Sequence, residues 1–123
     1  MIDRVLEMSD ERIVALKNVT INEPFFQGHF PEPHKSIMPG TLITEGMAQT
    51  AAILSSSRSE GTGFGYLTGV DDARFRKQVV PGDTLIYEGK IIRFRSSLCK
   101  AKMTAKVDDE KAAGATILLA LGE

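Results

Sequence analysis

Two titratable side chains, His29 and Glu45, lie sixteen residues apart on either side of a proline-rich segment. His29 stands in the sequence Gly28-His29-Phe30-Pro31, and Glu45 stands in the most apolar stretch of the chain. A carboxyl group that apolar surroundings push toward its neutral form can act as a general acid near neutral pH. A histidine, which titrates close to neutrality, is the complementary base. The two residues therefore indicate acid–base chemistry.

Gly40 adds a third group, because Met38-Pro39-Gly40 opens a predicted helix whose free N–H groups could hold a developing oxyanion. The three groups together suit proton abstraction alpha to a carbonyl or thioester, with loss or gain of a neighbouring group. Simpler interpretations stay open at this point. His29 can be an ordinary loop residue, Glu45 can pair with Gln49 one turn later, and Gly40 can serve only a turn.

The elements that must position these groups are one helix and a series of strands. We predict a helix over residues 38–54 that packs on nearly every side, followed by Ser55-Ser56-Ser57. The β-rich segments predict strands over 12–21, 64–75, 84–95 (with a bulge near Ile91-Ile92), 98–107 and 112–121. Antiparallel strands wrapped around the helix would bury both, which is an α+β arrangement. Their long edges need cover, which favours a dimer.

The strand over 98–107 alternates most clearly. Cys99, Ala101, Met103, Ala105 and Val107 fall on one face, and the charged residues between them fall on the other. Pro81-Gly82-Asp83 is predicted to be the tight turn before the strand over 84–95, and Asp108-Asp109-Glu110-Lys111 the turn after the strand over 98–107. Cys99 is therefore interpreted as a small core residue.

The composition indicates an ordinary globular protein of one domain over residues 1–123. Its 123 residues are 42% hydrophobic and 25% charged. The lone Cys99 rules out an intrachain disulfide and suits a reducing compartment. No signal peptide is recognisable, and the apolar run 115–121 is too short to span a bilayer, so we predict a cytoplasmic protein. No metal-ligand spacing, phosphate-binding glycine loop or dinucleotide fingerprint is found, and no cofactor is predicted.

The charges are unevenly distributed along the chain. Residues 1–73 carry five Lys/Arg and ten Asp/Glu, whereas residues 74–106 carry nine basic and two acidic side chains. A basic middle in a chain of net charge -1 indicates an acidic partner, although a solvated strand face is the simpler alternative. Nucleic acid is disfavoured, because no aromatic stacking platform accompanies the charge.

Several motifs taken together closely resemble one known family. Gly28-His29-Phe30-Pro31, Met38-Pro39-Gly40 and the segment 42–49 (Leu-Ile-Thr-Glu-Gly-Met-Ala-Gln) resemble the FabZ-type 3-hydroxyacyl-[acyl-carrier-protein] dehydratases. The segments 69–83 and 12–23 are similar to the same family. The resemblance covers essentially the whole chain.

This resemblance implies a hotdog fold, an antiparallel sheet wrapped around a long central helix. It implies dimers, commonly assembled into hexamers, with each active site shared between two subunits. The catalytic histidine of the family falls on His29, its catalytic glutamate on Glu45 and its backbone amide donor on Gly40. Glu rather than Asp at position 45 indicates the FabZ type and not the FabA type. The substrate tunnel would be lined by Phe30, Ile37 and Met38 and by Tyr66, onto which the gating tyrosine of some relatives falls.

The implied reaction is the dehydration of a (3R)-hydroxyacyl thioester on acyl carrier protein to the trans-2-enoyl thioester. His29 would take the alpha proton, and Glu45 of the partner subunit would protonate the departing hydroxyl. The basic middle of the chain then becomes a docking surface for the acidic carrier, formed by Arg74, Arg76, Lys77, Arg93, Arg95, Lys100 and Lys102.

The chain departs from the family pattern in two places. The short helix and the Pro-His-Arg-containing segment that usually precede the equivalent of Asp3-Arg4-Val5 are not found. The loop 32–37, which includes His34, is about two residues longer than usual. Two alternatives therefore stay open: a hotdog thioesterase, which would use a helix carboxylate to hydrolyse acyl thioesters, and a non-catalytic hotdog subunit. Acyl chain length and the lipid pathway served are not predicted.

Overall fold

A computed structural model of the chain describes residues 1–28, 35–58 and 65–121. Its strands are β1 (Arg4–Met8), β2 (Arg12–Asn18), β3 (Gly65–Phe75), β4 (Thr84–Arg95), β5 (Leu98–Val107) and β6 (Glu110–Leu121). They form one antiparallel sheet in the order β1-β2-β4-β5-β6-β3. The helix α1 (Gly40–Arg58) packs against strands β2 to β6. The predicted α+β arrangement is confirmed.

The two faces of the sheet differ as the alternation in β5 predicts. Cys99, Ala101 and Met103 are buried toward the helix, whereas Lys100 and Lys102 lie on the outer face. On the neighbouring strand β6, Ile117 pairs in register with Ala101 and is also buried. The core therefore lies between α1 and the inner face of the sheet, and the outer face carries the charge.

Turns and bulges join these strands at the places that their residues favour. Asp108 and Asp109 have φ angles of 51° and 65°, the left-handed pair that a two-residue type I′ hairpin requires. The turn is shorter than predicted, because β6 already begins at Glu110. The predicted bulge in β4 is confirmed by a register shift between Ile91 and Arg93.

Two elements were not predicted, and α1 is longer than predicted. Every residue of β1 is exposed, so this edge strand has no buried face for a sequence pattern to reveal. A short 3₁₀ helix (Pro24–Gln27) lies in the proline-rich segment. The helix α1 continues to Arg58, and the hydroxyls of Ser55 and Ser57 donate to the carbonyls of Ala52 and Leu54 within it.

The prediction that α1 packs on nearly every side is wrong for the single chain. Most of its buried residues recur at intervals of three and four, as on one stripe of an amphipathic helix: Ile43, Gly46, Met47, Thr50, Ala51, Leu54 and Ser55; Ala48 is also buried, beside this stripe. The other side carries the exposed residues Thr41 and Glu45, and Ile53 is 36% exposed. We call this second side the open stripe. The sheet covers only one side of the helix. The sequence does not reveal which side is exposed, because apolar residues such as Ile53 also occur on the open stripe.

Candidate active site

The segment that leads to His29 is fixed by the 3₁₀ helix. Phe26 is buried in the core, and its ring meets the ring of Phe25 edge to face at a centroid distance of 4.6 Å. Gly28 caps this helix. His29, Phe30 and His34 lie outside the described residues, and the roles of His29 and Phe30 stay predictions.

A carboxylate, Glu23, ties the start of this segment to the sheet. Its Oε2 accepts from Lys17 Nζ at 3.0 Å and from the Thr20 hydroxyl at 3.2 Å. Lys17 also lies 3.6 Å from the Asp3 carboxylate. Burial raises the pKa of Glu23, but the hydrogen bonds from Lys17 and Thr20 outweigh it and hold that pKa below its ordinary value. The charge on Glu23 is therefore structural.

On the other side of the loop, the N-terminus of α1 is anchored to the chain after β3. The Met38 N–H donates to the Val79 carbonyl at 2.8 Å, and Met38 is buried. The Pro39 carbonyl accepts from the N–H groups of Leu42 and Ile43 at 3.0 and 3.2 Å. Pro39 therefore lies immediately before the first turn, whereas it was predicted within that turn.

The backbone N–H of Gly40 has no acceptor among the described residues, as expected at the first position of a helix. A Cβ on Gly40 would lie 3.1 Å from the Phe75 ring, so glycine allows the aromatic side chain to approach the backbone. The amide donor predicted at Gly40 thus lies at a helix N-terminus beside an aromatic wall. Such a group can donate to a developing negative charge.

A pocket of about 230 Å³ opens at this helix N-terminus. It is lined by Ile37, Met38, Gly40, Ile43, Phe75, Arg76, Lys77, Gln78 and Val79. The structure thus brings together Gly40 with Ile37 and Met38, two of the predicted tunnel residues. Sequence reasoning did not single out Phe75 as a site residue, although it lies in the family-like block 69–83.

Glu45 lies elsewhere on the helix. It is five residues beyond Gly40, which corresponds to about 7.5 Å along the axis and about 140° around it. It is exposed on the open stripe, and its Oε1 accepts from Gln49 Nε2 at 2.8 Å. The pair with Gln49 that was considered in the sequence is therefore present. Within one chain, Glu45 does not line the pocket at Gly40.

The residue after Glu45 is in close contact with the sheet. A Cβ on Gly46 would overlap the hydroxyl of Tyr87, a fully buried residue of β4. That hydroxyl finds no hydrogen-bond partner among the described residues. Burial, and to a smaller extent the Asp3 carboxylate, raises the pKa of the Tyr87 phenol well above its ordinary value. This contact, which the sequence did not predict, fixes the turn of α1 that carries Glu45.

Tyr66 lies near the start of β3, opposite Ala120 of β6. It is 57% exposed and does not line the pocket at Gly40 in the single chain. Its predicted role as a tunnel residue stays a prediction.

The seven predicted docking residues fall into separate groups. Lys77 lines the pocket and pairs with Glu110 at 2.7 Å, a contact that raises the pKa of the Lys77 ammonium group. Arg93 lies opposite Lys100, and Arg95 lies opposite Leu98, at the end of the β4–β5 hairpin. The others, Arg74, Arg76 and Lys102, line a separate groove, and Arg76 also lines the pocket at Gly40.

Within residues 1–28, 35–58 and 65–121, no three His, Cys, Asp or Glu side chains come together as a metal site would require. No helix in the same ranges is long and apolar enough to cross a membrane.

Solved structures with the same architecture place the chain among the hotdog-fold proteins. The dehydratase heterocomplex ApeI:P from Xenorhabdus doucetiae superposes with a TM-score of 0.82 at 15% identity, covering 99% of this chain and 82% of that chain. The protein smu.793 from Streptococcus mutans, bound to acetyl CoA, gives a TM-score of 0.76 at 14% identity, covering 98% and 89%. At such identities the likeness shows the fold.

Sequence comparison is more specific. The family model of the FabA-like domain matches residues 1–116. The 3-hydroxyacyl-[acyl-carrier-protein] dehydratases FabZ of Streptococcus mutans and Streptococcus uberis are 49% and 50% identical to this chain over 123 residues. Each alignment covers 99% of this chain and 86% of the relative. The chain belongs to the FabZ-type dehydratases of the FabA-like family.

Proposed function

We propose that this protein dehydrates a (3R)-hydroxyacyl thioester on acyl carrier protein to the trans-2-enoyl thioester in fatty acid biosynthesis. The observation that carries the proposal is 49–50% identity to FabZ dehydratases over nearly the whole chain. The Gly40 N–H, which has no acceptor within residues 1–28, 35–58 and 65–121, lies at a largely apolar pocket and gives that identity a chemical basis.

In the proposed mechanism, His29 takes the alpha proton of the thioester. The electron pair from the broken C–H bond delocalises onto the thioester oxygen, where the Gly40 N–H donates to the developing charge. Glu45 protonates the hydroxyl on the beta carbon as the C–O bond breaks, and water leaves. The carbon–carbon double bond forms between these two carbons. Glu45 ends as a carboxylate and His29 as an imidazolium, and a proton passing between them restores both.

We place each site between two subunits. Glu45 and Gly40 lie on different sides of α1, so one chain alone does not bring them to one pocket. The open stripe around Glu45 includes the partly exposed Ile53, whose cover a second copy can supply. On β3, an edge strand of the described sheet, Leu67 and Phe75 are 45% and 50% exposed. A homodimer, alone or within a hexamer, would cover this edge.

The partner that delivers the substrate is an acidic acyl carrier protein. Its proposed docking surface includes Arg93, Arg95 and Lys100, three cationic residues grouped at the β4–β5 hairpin. Opposite charges on two surfaces speed the encounter, and the effect weakens as salt rises. We expect KM for the carrier-bound substrate to rise with ionic strength; a flat KM would contradict this docking. The cytoplasmic location and the single domain over residues 1–123 stay predictions.

The proposed reaction is tested by assaying wild type, His29→Ala and Glu45→Gln with hydroxyacyl-carrier substrate. Each substitution should lower kcat at least about a hundredfold, because each removes one proton-transfer group. Enoyl product is measured beside free thiol. Release of thiol by wild type, without enoyl product, would instead identify a thioesterase. No turnover of either kind by wild type would favour the non-catalytic alternative.

Mixing the two inactive variants tests whether the site is shared. A dimer of one His29→Ala and one Glu45→Gln subunit has one site with both groups intact and one with neither. After random exchange of subunits, about a quarter of wild-type activity should return. If each site lies within one chain, mixing restores nothing. Light scattering on the same samples measures the oligomer.

A further inference from the structure

A groove of about 360 Å³ crosses the outer face of β3, β6 and β5, away from α1. Four cationic side chains and one carboxylate line it, together with the Thr116 hydroxyl. The cations are Arg74, Arg76, Lys102 and Lys111, and the carboxylate is Asp72. Lys111 was not among the residues singled out from the sequence. The groove is therefore a distinct concentration of positive charge.

These four cations have no ion-pair partner within the described ranges, where the salt bridges use Arg12, Lys17, Lys77 and Lys106. Lys102 also lies directly opposite Lys90 of β4 in the sheet register. Like charges opposite one another destabilise a sheet. A bound anion would relieve this repulsion.

Two features of the backbone at the groove accommodate these side chains. In β3 a register shift separates Asp71 from Arg74, and Asp72 within it has a φ angle of 53°. Bulges of this kind change the direction of the side chains beside them. Opposite Arg74, Gly114 leaves room for Lys111, whose Cε would lie 2.9 Å from a Cβ at that position. A larger residue at Gly114 would require the end of the Lys111 side chain to shift.

Arg76 lines both the groove and the pocket at Gly40, so its side chain lies between the two. A ligand that occupied both would have to pass around this side chain. In an acyl thioester of carrier protein or coenzyme A, the thioester is at one end of a pantetheine arm, and phosphate is at the other. Arg and Lys side chains bind phosphate through charge-assisted hydrogen bonds.

We infer that the groove lined by Arg74, Arg76, Lys102 and Lys111 binds the phosphate at the end of the substrate's pantetheine arm. The inference rests on the proposed function for the identity of the thioester. The phosphate can be the phosphodiester that joins the arm to carrier protein or the diphosphate of coenzyme A. An edge-to-edge pairing of β3 with a second copy would use backbone groups in the plane of the sheet and leave this face open.

The experiment compares three hydroxyacyl thioesters: the pantetheine thioester without phosphate, the 4′-phosphopantetheine thioester and the carrier-bound substrate. The variant Lys102→Gln/Lys111→Gln should raise KM about tenfold for both phosphorylated substrates and leave kcat unchanged. KM for the pantetheine thioester should not change. The control is Arg4→Gln, which removes an exposed cation from β1, at the opposite edge of the sheet from β3, and should leave every KM unchanged.

Three outcomes would overturn the inference: no change in any KM, an equal change with and without phosphate, or a change for the carrier-bound substrate alone. The last would mean that the lysines contact the carrier protein and not its phosphate. Assaying a coenzyme A thioester with the same variants distinguishes the two sources of phosphate. An equal rise in its KM supports the groove as a site for either phosphate. An unshifted coenzyme A KM restricts the groove to the phosphate of the carrier arm.

Calorimetry with free 4′-phosphopantetheine and free pantetheine gives a readout that needs no turnover. Wild type should bind the phosphorylated arm about tenfold more tightly, and the double variant should lose that preference. If wild type turns over no thioester but keeps the preference, the proposed function fails and the groove stands. Equal binding of the two arms by wild type would contradict the inference that the groove binds phosphate.

Discussion

Glu23 and Glu45 are carboxylates that precede and follow the segment carrying His29, and their surroundings differ. Glu23 is partly buried and accepts from Lys17 and Thr20. Glu45 is exposed on the open stripe of α1, and its described partner is the neutral amide of Gln49. Glu23 is satisfied within the chain, whereas Glu45 has no cation paired with it in the described residues. The first holds the structure, and the second is available for chemistry.

The strongest way to disturb Glu45 without changing its carboxyl is Gly46→Ala. The added methyl would overlap the Tyr87 hydroxyl, and the resulting strain should exceed the gain of about 1 kcal/mol in helix propensity. We expect a net loss of about 3 kcal/mol in the free energy of unfolding, together with a fall in kcat/KM as the Glu45 turn shifts. Urea unfolding and the dehydratase assay measure the two effects.

A matched control for this prediction is Gly69→Ala in β3, where the new Cβ would make ordinary contacts of 3.5 Å with Leu118. It should be close to neutral. A second variant, Gly46→Ala/Tyr87→Leu, should recover part of the loss, because the smaller side chain removes the overlap. A neutral Gly46→Ala would show that α1 can move away from β4 at no cost.

Glu23→Gln tests the structural half of the comparison. The pKa of Glu23 is lowered by folding, so its charge stabilises the fold above the unfolded pKa, and that stabilisation is lost as pH falls through the folded pKa. At pH 7 the variant should lose about 1–2 kcal/mol of unfolding free energy. At a pH below the folded-state pKa, where the carboxyl is protonated in both states, wild type and variant should converge. A difference that is independent of pH would contradict the role of the charge.

Tyr87→Phe removes a buried hydroxyl that has no partner among the described residues. Because such a group loses its bonds to water on folding, the variant should be about 1 kcal/mol more stable than wild type. Thermal unfolding at fixed concentration measures the change. Destabilisation would instead mean that the hydroxyl is hydrogen-bonded in solution.

Gln49→Ala is the smallest change and concerns Glu45 alone. A single exposed pair one turn apart contributes about 0.2–0.5 kcal/mol, so unfolding should barely change. The carboxylate loses the amide that orients it, and kcat should fall about threefold. A loss as large as that of Glu45→Gln would place Gln49 itself in the reaction.

Much of the sheet could be predicted from the sequence because its strands alternate or carry distinct turn residues. Lys100 and Lys102 alternate with Cys99, Ala101 and Met103, and a solvated face requires that spacing. The edge strand β1 could not be predicted in this way, because all five of its residues are exposed. Its place in the sheet is set by pairing with β2, a long-range contact that local pattern does not encode.

The site was predictable in its residue types but not in its arrangement. The helix N-terminus at Gly40 followed from the Pro39-Gly40 sequence. The exposure of Glu45 did not, because the apolar residues around it along the helix, among them Leu42, Ala52 and Ile53, give no sign in the sequence that one side is exposed. The groove could not be predicted from the sequence for another reason. Arg74, Lys102 and Lys111 lie on three different strands and come together only through the pairing of those strands.

The contact between Gly46 and Tyr87 also sets the order in which this part of the protein can evolve. An alanine at position 46 is blocked while the tyrosine is present, because the two occupy the same space. The tyrosine, by contrast, can be replaced first by a smaller side chain, and the glycine is then free to change. Descendants of this sequence should therefore lose Tyr87 before they lose Gly46, and a lineage that holds both is confined to the present spacing between helix and strand.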